Sequence, residues 1–292
     1  MIRLRKFGVV VGTRCTFDCR HCLLDKRKRK RSLREREKRL LCEVVRRYAP
    51  ASLSFTGGET TLYVDDINRI SSALPKNSKS NPGIVTNGGF ASSVREARRM
   101  LASIRGLTYV QMSYDKFHAE FLPKSRLENL FNVCRELGIG FRVVTTLQSP
   151  LDLKITAELG AIGGFEVAVQ KICDIGEAKK NGLAFRHFVF DKKVLSQVCP
   201  NRDQLVYQCG RGFSVCCSNL IYNGFGKYCL HKTPEDHFNS EFYKRMRNAV
   251  LGRLFVQHGG DPESLRPEHS SPCALCEHIF RTTDIVKTWP KK

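Results

Sequence analysis

Three cysteines within eight residues are the groups in this sequence best suited to do chemistry. The stretch CTFDCRHC places Cys15, Cys19 and Cys22 just after a short hydrophobic run. A structural zinc site is closed and tetrahedral, so it needs a fourth ligand nearby. His21 is the only neighbour, and because it adjoins Cys22 it can hardly turn onto the same ion. Three thiolates on one loop instead suit a four-iron, four-sulfur cluster with one iron left open to another ligand.

Further polar residues stand where later hydrophobic runs end. In SFTGGE, Gly57 and Gly58 allow the backbone to approach a ligand closely, and Glu59 offers a carboxylate to a cationic group. The stretches IVTNGG and VQMSYD place four more polar residues at predicted strand ends: Thr86, Asn87, Ser113 and Asp115. Ligands bind at the carboxyl ends of strands in parallel α/β folds, so these residues predict a binding site there.

The CxxxCxxC spacing after the first strand, with GGE after the second, resembles the radical S-adenosylmethionine (radical SAM) superfamily. The resemblance implies a [4Fe-4S] cluster on Cys15, Cys19 and Cys22, whose open iron is ligated by SAM. It also implies reductive cleavage of SAM to methionine and a 5'-deoxyadenosyl radical that abstracts a substrate hydrogen. His21 would then lie beside the adenine. The implied SAM contacts are Gly57, Gly58, Glu59, Thr86, Asn87, Ser113 and Asp115.

A second group of cysteines fills the C-terminal third of the chain. Its members are Cys199, Cys209, Cys216, Cys217, Cys229, Cys273 and Cys276. Clustered thiols in a chain without an export signal indicate metal or redox chemistry more than disulfides. Cys42 and Cys134 stand apart from this group, and we interpret them as small apolar core residues. Cys173 stands alone beside the sixth strand, and we favour a core position for it over one that faces the cavity as a substrate-side thiol.

The spacing from Cys199 to Gly212 and on to Cys217 resembles the opening of a SPASM domain. Because no cysteine follows Cys276, a shortened Twitch-type domain with one auxiliary [4Fe-4S] cluster fits better. The ligand set that the resemblance implies is Cys199, Cys217, Cys273 and Cys276. Spacing leaves open Cys216 in place of Cys217, Cys209 or Cys229 in place of Cys199, and a four-cysteine zinc site.

The hydrophobic pattern predicts an α/β fold. Hydrophobic runs alternate with amphipathic helical patterns up to about residue 170, which is typical of repeated β-α units. The predicted strands are 7–12, 52–55, 83–86, 109–113, 142–147 and 165–169. We therefore expect a partial (β/α)6 TIM-like barrel over 1–175, followed by a small SPASM/Twitch-like domain over 176–292, with 179–182 as a linker. Ser32 is the expected N-cap of the first helix, and Gly138 is expected to end the helix after the fourth strand.

The composition favours a basic cytoplasmic protein. The net charge of +21 favours an acidic partner, and residues 26–31 form a run of six cations that we expect to be solvated. No hydrophobic run approaches the roughly 20 residues of a membrane span, and no secretory signal is visible. The resemblance also implies an electron donor such as ferredoxin or flavodoxin.

The sequence thus predicts a radical SAM enzyme that modifies a peptide oxidatively during ribosomal peptide maturation. An auxiliary cluster points to oxidation because it can accept the electron left on a substrate radical. Two alternatives remain open at this point. One is the dehydrogenation of a small phosphorylated or sugar-like molecule, and the other is a basic, zinc-containing nucleic-acid-binding protein without catalysis.

Overall fold

A computed structural model of the chain describes residues 4–25, 30–286 and 289. Its centre is an eight-stranded sheet in the order β6-β5-β4-β3-β2-β1-β7-β8. Neighbouring strands from β6 to β7 run parallel, and only β8 is antiparallel to its neighbour. The strands are β1 (Lys6–Gly12), β2 (Ser52–Gly57), β3 (Asn81–Thr86), β4 (Tyr109–Ser113), β5 (Gly140–Leu147), β6 (Glu166–Lys171), β7 (Gln204–Gln208) and β8 (Gly212–Ser214).

Helices connect the six parallel strands and then make up most of the C-terminal part. Helices between strands β1 and β6 are α1 (Glu35–Tyr48), α2 (Val64–Ser71), α3 (Val94–Ser103), α4 (Lys124–Glu136) and α5 (Lys154–Gly160). Those after β6 are α6 (Gly176–Lys180), α7 (Asn219–Tyr222), α8 (Gly226–Cys229), α9 (Pro234–Asn239), α10 (Glu241–Met246), α11 (Leu251–Gln257) and α12 (Pro272–Thr282). Among the described residues, no helix is long and apolar enough to cross a membrane.

The predicted series of six β-α units is confirmed, and its helix ends show where local signals succeed. Gly138 takes the left-handed conformation after α4, with φ of 65°, as a helix-ending glycine should. Ser32 is not the N-cap of α1, so that prediction was wrong. The helix begins three residues later, where the Glu37 carboxylate accepts the amide of Arg34 at 2.8 Å, while Ser32 pairs with Gly12 in an isolated β-bridge.

Two large clusters of buried apolar residues, and a small third one of Phe117, Ile172 and Ala178, hold the described part of the chain together. The larger packs the helices against the main sheet and includes residues from Leu4 to Phe238. The smaller runs from Val194 to Ile285 and gives the C-terminal part a core of its own. The division at residue 176 stays a prediction, and strands β7 and β8, which follow it in the chain, extend the main sheet on the β1 side.

The segment expected to be a linker is instead ordered against the cysteine loop. The backbone amides of Glu177 and Ala178, at the start of α6, donate to the carbonyl oxygen of Cys22 at 2.9 and 3.3 Å. The side-chain amide of Asn181 donates to the carbonyl oxygen of Arg20 at 3.1 Å. Residues 176–181 therefore fix the far end of the loop, and the linker prediction was wrong.

Gly176 is the residue that lets α6 come so close to this loop. Its φ is 60°, and a Cβ atom there would overlap the carbonyl oxygen of Leu23 and lie 2.9 Å from that of Cys22. Gly182 has a φ of 62° but has nothing within 4 Å of the same position. Alanine would therefore be strained in its backbone at both positions, but only at position 176 would its Cβ also clash with neighbouring atoms.

We predict that Gly176→Ala is the more damaging of the two substitutions. Gly182→Ala should cost about 1 kcal/mol of stability, the usual penalty for alanine in a left-handed conformation. Gly176→Ala should cost at least about 1 kcal/mol more, since backbone must move. Urea unfolding of both variants measures the difference, and iron per chain after anaerobic reconstitution should fall only for Gly176→Ala. Equal losses of stability in both variants would contradict the proposed role of Gly176 in letting α6 approach the cysteine loop.

Candidate functional site

The cysteine loop lies at the carboxyl end of β1. Cys19 is buried and Cys15 and Cys22 are half-buried. The backbone amide of Phe17 donates to Cys15 Sγ and that of Leu24 to Cys22 Sγ, each at 3.5 Å. Amide donors of this kind favour the charged, thiolate form of a cysteine, which is the form that ligates iron. The loop therefore carries donors for metal-bound sulfur in its own backbone.

The glycine pair after β2 packs directly on this loop. The amide of Gly58 donates to the carbonyl of Gly12 at 3.0 Å, and that of Glu59 to the carbonyl of Arg14 at 2.8 Å. A Cβ atom on Gly58 would overlap the Arg14 carbonyl, so no larger residue fits. The sequence predicted a close approach of this backbone to a ligand. In the structure the close approach is to the loop that carries the cysteines.

Glu59 is almost completely buried and links the ends of β2 and β3. Its Oε1 accepts the hydroxyls of Thr61 and Thr86, both at 2.7 Å, and the Thr61 amide at 3.1 Å. Its Oε2 accepts the backbone amide of Asn87 at 2.8 Å. The protein itself therefore orients the carboxylate. Thr86 contributes to this orientation through its hydrogen bond to Glu59.

Asn87 connects the end of β3 with the cysteine loop. Its side-chain amide lies 3.6 Å from Cys15 Sγ and donates to Thr16 Oγ1 at 3.0 Å. Its Oδ1 accepts the amide of Gly89 at 2.9 Å. The sequence selected Asn87 by its place at a strand end, but only the fold brings it to a cysteine sulfur.

Asp115, at the end of β4, contacts two imidazoles. Its Oδ1 lies 2.9 Å from His118 Nδ1 and accepts the amides of Phe117 and His118, while its Oδ2 lies 3.3 Å from His21 Nε2. Burial would raise the pKa of this carboxyl, but the contacts with His118 and His21 outweigh it and hold the pKa far below its ordinary value. His21 also stacks on Phe117, with 4.5 Å between ring centres.

These contacts give Asp115 and His21 a structural role. They tie the cysteine loop, between Cys19 and Cys22, to the end of β4. The expected contacts of Asp115 with the ribose and of His21 with the adenine stay predictions. Ser113, in the last position of β4, is half-buried beside them.

Thr145, in β5, is a polar residue without a partner among the described residues. It is fully buried, and its hydroxyl makes no hydrogen bond there. Its neighbour Thr146 accepts the side-chain amide of Gln170 at 2.9 Å. A buried hydroxyl without a partner is costly, so a bound group could supply the missing contact at this strand.

The second group of cysteines gathers around the start of α12. The thiol of Cys273 has its pKa raised by burial and by the nearby thiols of Cys173, Cys217, Cys216 and Cys199. Burial and the thiols of Cys216, Cys199 and Cys273 raise the pKa of Cys276 in the same way. Four thiolates close together repel, so a metal centre that neutralises them would relieve this cost.

For Cys173 the sequence favoured the apolar core over a position facing the cavity, but the residue belongs to none of the apolar clusters of the described residues. The residue is half-buried and lies among these thiols, two residues after the end of β6. No nearby motif marked it, because the fold alone brings the end of β6 against the C-terminal part.

Of the two remaining cysteines of the C-terminal third, Cys209 lies apart from this group and Cys229 lies close to it. Cys209 is buried in the core of the main sheet, and burial raises the pKa of its thiol to about 12. Cys229 is fully buried, and its hydrogen bond to Cys216 lowers the pKa of Cys216 to about 7. Cys134 is buried in the core as expected, while Cys42 packs against it half-buried.

Tyr222, at the end of α7, lies between the two cysteine groups. Burial raises the pKa of its phenol to about 12, and the thiols of Cys217, Cys22 and Cys216 contribute to the increase. Arg211 stacks over the ring, 5.5 Å from its centre, and acts in the opposite direction. Tyr222 therefore lies near thiols of both groups.

The donor set of thiolates suits iron-sulfur clusters. Four thiolates around zinc would lie roughly 3.8 Å apart, given Zn–S bonds of about 2.3 Å and tetrahedral geometry. Across residues 4–25, 30–286 and 289, the only group of three metal-binding side chains within 4.8 Å is His21, Asp115 and His118, so no three cysteine sulfurs lie that close.

Comparisons with known proteins agree with this geometry. Residues 9–150 match the model of the radical SAM superfamily. YydG of Bacillus subtilis (strain 168), whose name assigns it to peptide biosynthesis, is 23% identical over 303 residues, which cover 96% of this chain and 93% of YydG.

Two solved structures share the fold. Streptococcus suis SuiB bound to its precursor peptide SuiA has a TM-score of 0.58 at 13% identity, covering 85% of this chain and 67% of SuiB. Native anSMEcpe with bound AdoMet and the Kp18Cys peptide has a TM-score of 0.55 at 13% identity, covering 96% of each chain. The likeness extends over most of the chain, which includes the second cysteine group.

We predict that Glu59→Gln destabilises the protein by about 2 kcal/mol, since the new amide nitrogen cannot accept from the donors around it. Glu128→Gln, on the exposed face of α4, serves as the matched control and should change stability by less than about 0.5 kcal/mol. Urea unfolding of the iron-free chains gives both values. A Glu59→Gln variant as stable as the control would show that this carboxylate does not hold β2 and β3 together.

Proposed function

We propose that the chain is a radical SAM enzyme, with a [4Fe-4S] cluster and SAM as cofactors, and that it modifies a peptide oxidatively in ribosomal peptide maturation. Residues 9–150 match the radical SAM superfamily. The observation that best supports a peptide substrate is the match to YydG along almost the whole length of both chains. The folds of SuiB and anSMEcpe, each solved with a peptide, support the same substrate class. A non-catalytic zinc protein is set aside by the family membership.

The residues at the strand ends suit this chemistry. When bound, the cluster and SAM supply a 5'-deoxyadenosyl radical that can take a hydrogen atom from a C–H bond. We assign Cys15, Cys19 and Cys22 to the cluster and the backbone of Gly57 and Gly58, with Glu59, to the SAM side of the loop. Asn87, against Cys15, and the buried hydroxyl of Thr145 would complete the contacts. Together they orient the reacting groups and keep water away.

The second cysteine group is proposed to hold one auxiliary [4Fe-4S] cluster. We favour Cys216 over Cys217 as its fourth ligand, beside Cys199, Cys273 and Cys276. Cys216 and Cys276 both pack against the second apolar core, whereas Cys217 is exposed. Cys216 also accepts a hydrogen bond from the Cys229 thiol, which favours its thiolate. A cluster there would accept the electron left on an oxidised substrate.

A reducing compartment and an acidic donor complete the proposal. We propose a cytoplasmic location, where the thirteen cysteines would stay reduced and available to iron. The net charge of +21 suits an acidic electron donor such as ferredoxin or flavodoxin. Residues 26–29 of the basic run lie outside the described residues, and Lys30 and Arg31 are exposed.

The triple variant Cys15, Cys19, Cys22→Ala tests the first site. We expect it to lose 5'-deoxyadenosine formation from SAM with dithionite and yet to keep the iron of the auxiliary cluster, because the two groups have separate ligands. Chromatography of the nucleoside and iron counting after anaerobic purification measure both properties. Retained cleavage would overturn the assignment, and a colourless, zinc-loaded wild type would overturn the radical function.

The same variant serves as the control for the peptide. Short open reading frames beside the gene are expressed together with the enzyme, and each peptide is measured by mass spectrometry. We expect one of them to lose the mass of two hydrogens only with the wild type. Unmodified peptides, together with SAM cleavage that a small alcohol or sugar phosphate stimulates, would favour a small-molecule substrate instead.

Neighbouring substitutions test the auxiliary ligands. Cys216→Ala should lose most of the auxiliary iron, while Cys217→Ala should retain it, and both should keep the first cluster. The triple variant provides the background in which only auxiliary iron is counted, by electron paramagnetic resonance of the reduced protein. Loss of the signal in Cys217→Ala alone would restore Cys217 as the ligand.

A further inference from the structure

Strand β6 forms one end of the sheet and leaves its outer edge open. It pairs with β5 on one side, and no other described strand lies beyond it. The amide of Ile172 donates inward to the carbonyl of Leu147 at 3.0 Å. Because successive residues of a strand alternate, the amides of Val167, Val169 and Lys171 face outward. Val169 is also 48% exposed, so this edge presents both hydrogen-bonding groups and apolar surface.

An apolar rim stands beside this edge at the carboxyl ends of β5 and β6. It consists of Leu151, Phe188 and Val189, whose exposed fractions are 83%, 85% and 74%. The segment that carries Phe188 is anchored, since the amide of Arg186 donates to the carbonyl of Gln148 at 2.9 Å. Leu151 follows Gln148 by three residues and Phe188 follows Arg186 by two, so this hydrogen bond brings the two exposed segments together. Exposed apolar side chains of this kind are typical of an interaction surface.

The surroundings of the rim are basic. Four exposed cations lie on β6 or next to the rim in sequence: Lys171, Arg186, Lys192 and Lys193. The Lys171 ammonium also lies 4.8 Å from the centre of the Phe185 ring. This contact holds the charge near the carboxyl end of β6. A partner for this surface should therefore be extended and should carry apolar side chains together with acidic ones.

We propose that the edge of β6 binds an extended segment of the substrate peptide as an added strand. Its backbone pairs with the outward amides of Val167, Val169 and Lys171, its apolar side chains contact Val169 and the apolar rim, and its acidic side chains meet the cations. A strand added there runs along the sheet toward the carboxyl ends of β1 and β6, where Cys173 and the loop of Cys15, Cys19 and Cys22 lie. This inference rests on the proposed peptide substrate and adds where and how the peptide is gripped.

A strand-edge substitution tests the backbone pairing. Val169→Pro removes one outward amide and spares the bonds to β5, whereas Val169→Ala keeps the amide and removes most of the side chain. The probe is a fluorescein-labelled synthetic peptide of alternating valine and aspartate, and the control peptide alternates valine and lysine. Fluorescence anisotropy gives the affinities for the reconstituted enzyme. SAM cleavage with dithionite reports whether each variant is folded and loaded.

We expect the aspartate peptide to bind at least about tenfold more tightly than the lysine peptide. Val169→Pro should weaken it by about tenfold or more, since one amide partner is lost and the strand pairing ends there. Val169→Ala should weaken it by about threefold or less, and Phe188→Ser should fall between the two. Amide hydrogen exchange of the wild type should slow at 167, 169 and 171 when the peptide is added.

Other outcomes would overturn the inference. Equal binding by the wild type and Val169→Pro, slowed exchange elsewhere, or no peptide binding by an enzyme that cleaves SAM would each do so and leave the radical function intact. A wild-type dimer in sedimentation that Val169→Pro dissociates, without peptide binding, would assign the edge to a second copy of the chain. Peptide binding by a wild type that does not cleave SAM would support the edge and overturn the proposed function instead.

Discussion

The structure depends on holding one short backbone loop from several sides. Three thiolates that must meet a cluster repel one another and belong to a segment without regular secondary structure, so the fold has to supply their order. The loop receives it through its backbone. The Arg14 amide donates to the Tyr63 hydroxyl at 2.9 Å, the Arg14 carbonyl accepts the Glu59 amide, and the Cys22 carbonyl accepts the amides at the start of α6. Glycines stand wherever these contacts are closest.

The sequence predicted the fold well because its signals are local. Six hydrophobic runs, each followed by a helical pattern, were enough for the parallel strands, and CxxxCxxC with GGE was enough for the family. The sequence did not predict the contacts between segments that lie far apart along the chain. Nothing beside Cys173 indicates that it lies near Cys273, and nothing in residues 179–182 distinguishes a linker from a segment that is hydrogen-bonded to the cysteine loop at Arg20. Such contacts follow from the order of strands in the sheet, which spacing along the chain does not encode.

Several residues chosen for their chemistry also serve the architecture. Glu59 and Asp115 were selected as groups that would meet SAM, and both have buried carboxylates that accept hydrogen bonds from the protein, Glu59 through both oxygens and Asp115 through Oδ1. Such hydrogen bonds fix a charge in one orientation before any ligand arrives, and this preorganisation reduces the cost of binding. It also explains why a strand-end motif is informative, since the same residue must satisfy a neighbour and face the site.

The place of β1 in the sheet has a consequence for how the molecule is made. The first strand of the chain pairs with β2 on one side and with β7, which begins at Gln204, on the other. The loop that follows β1 is likewise closed by α6. The complete set of contacts around the N-terminal cysteines can therefore form only after the ribosome has delivered more than half of the chain.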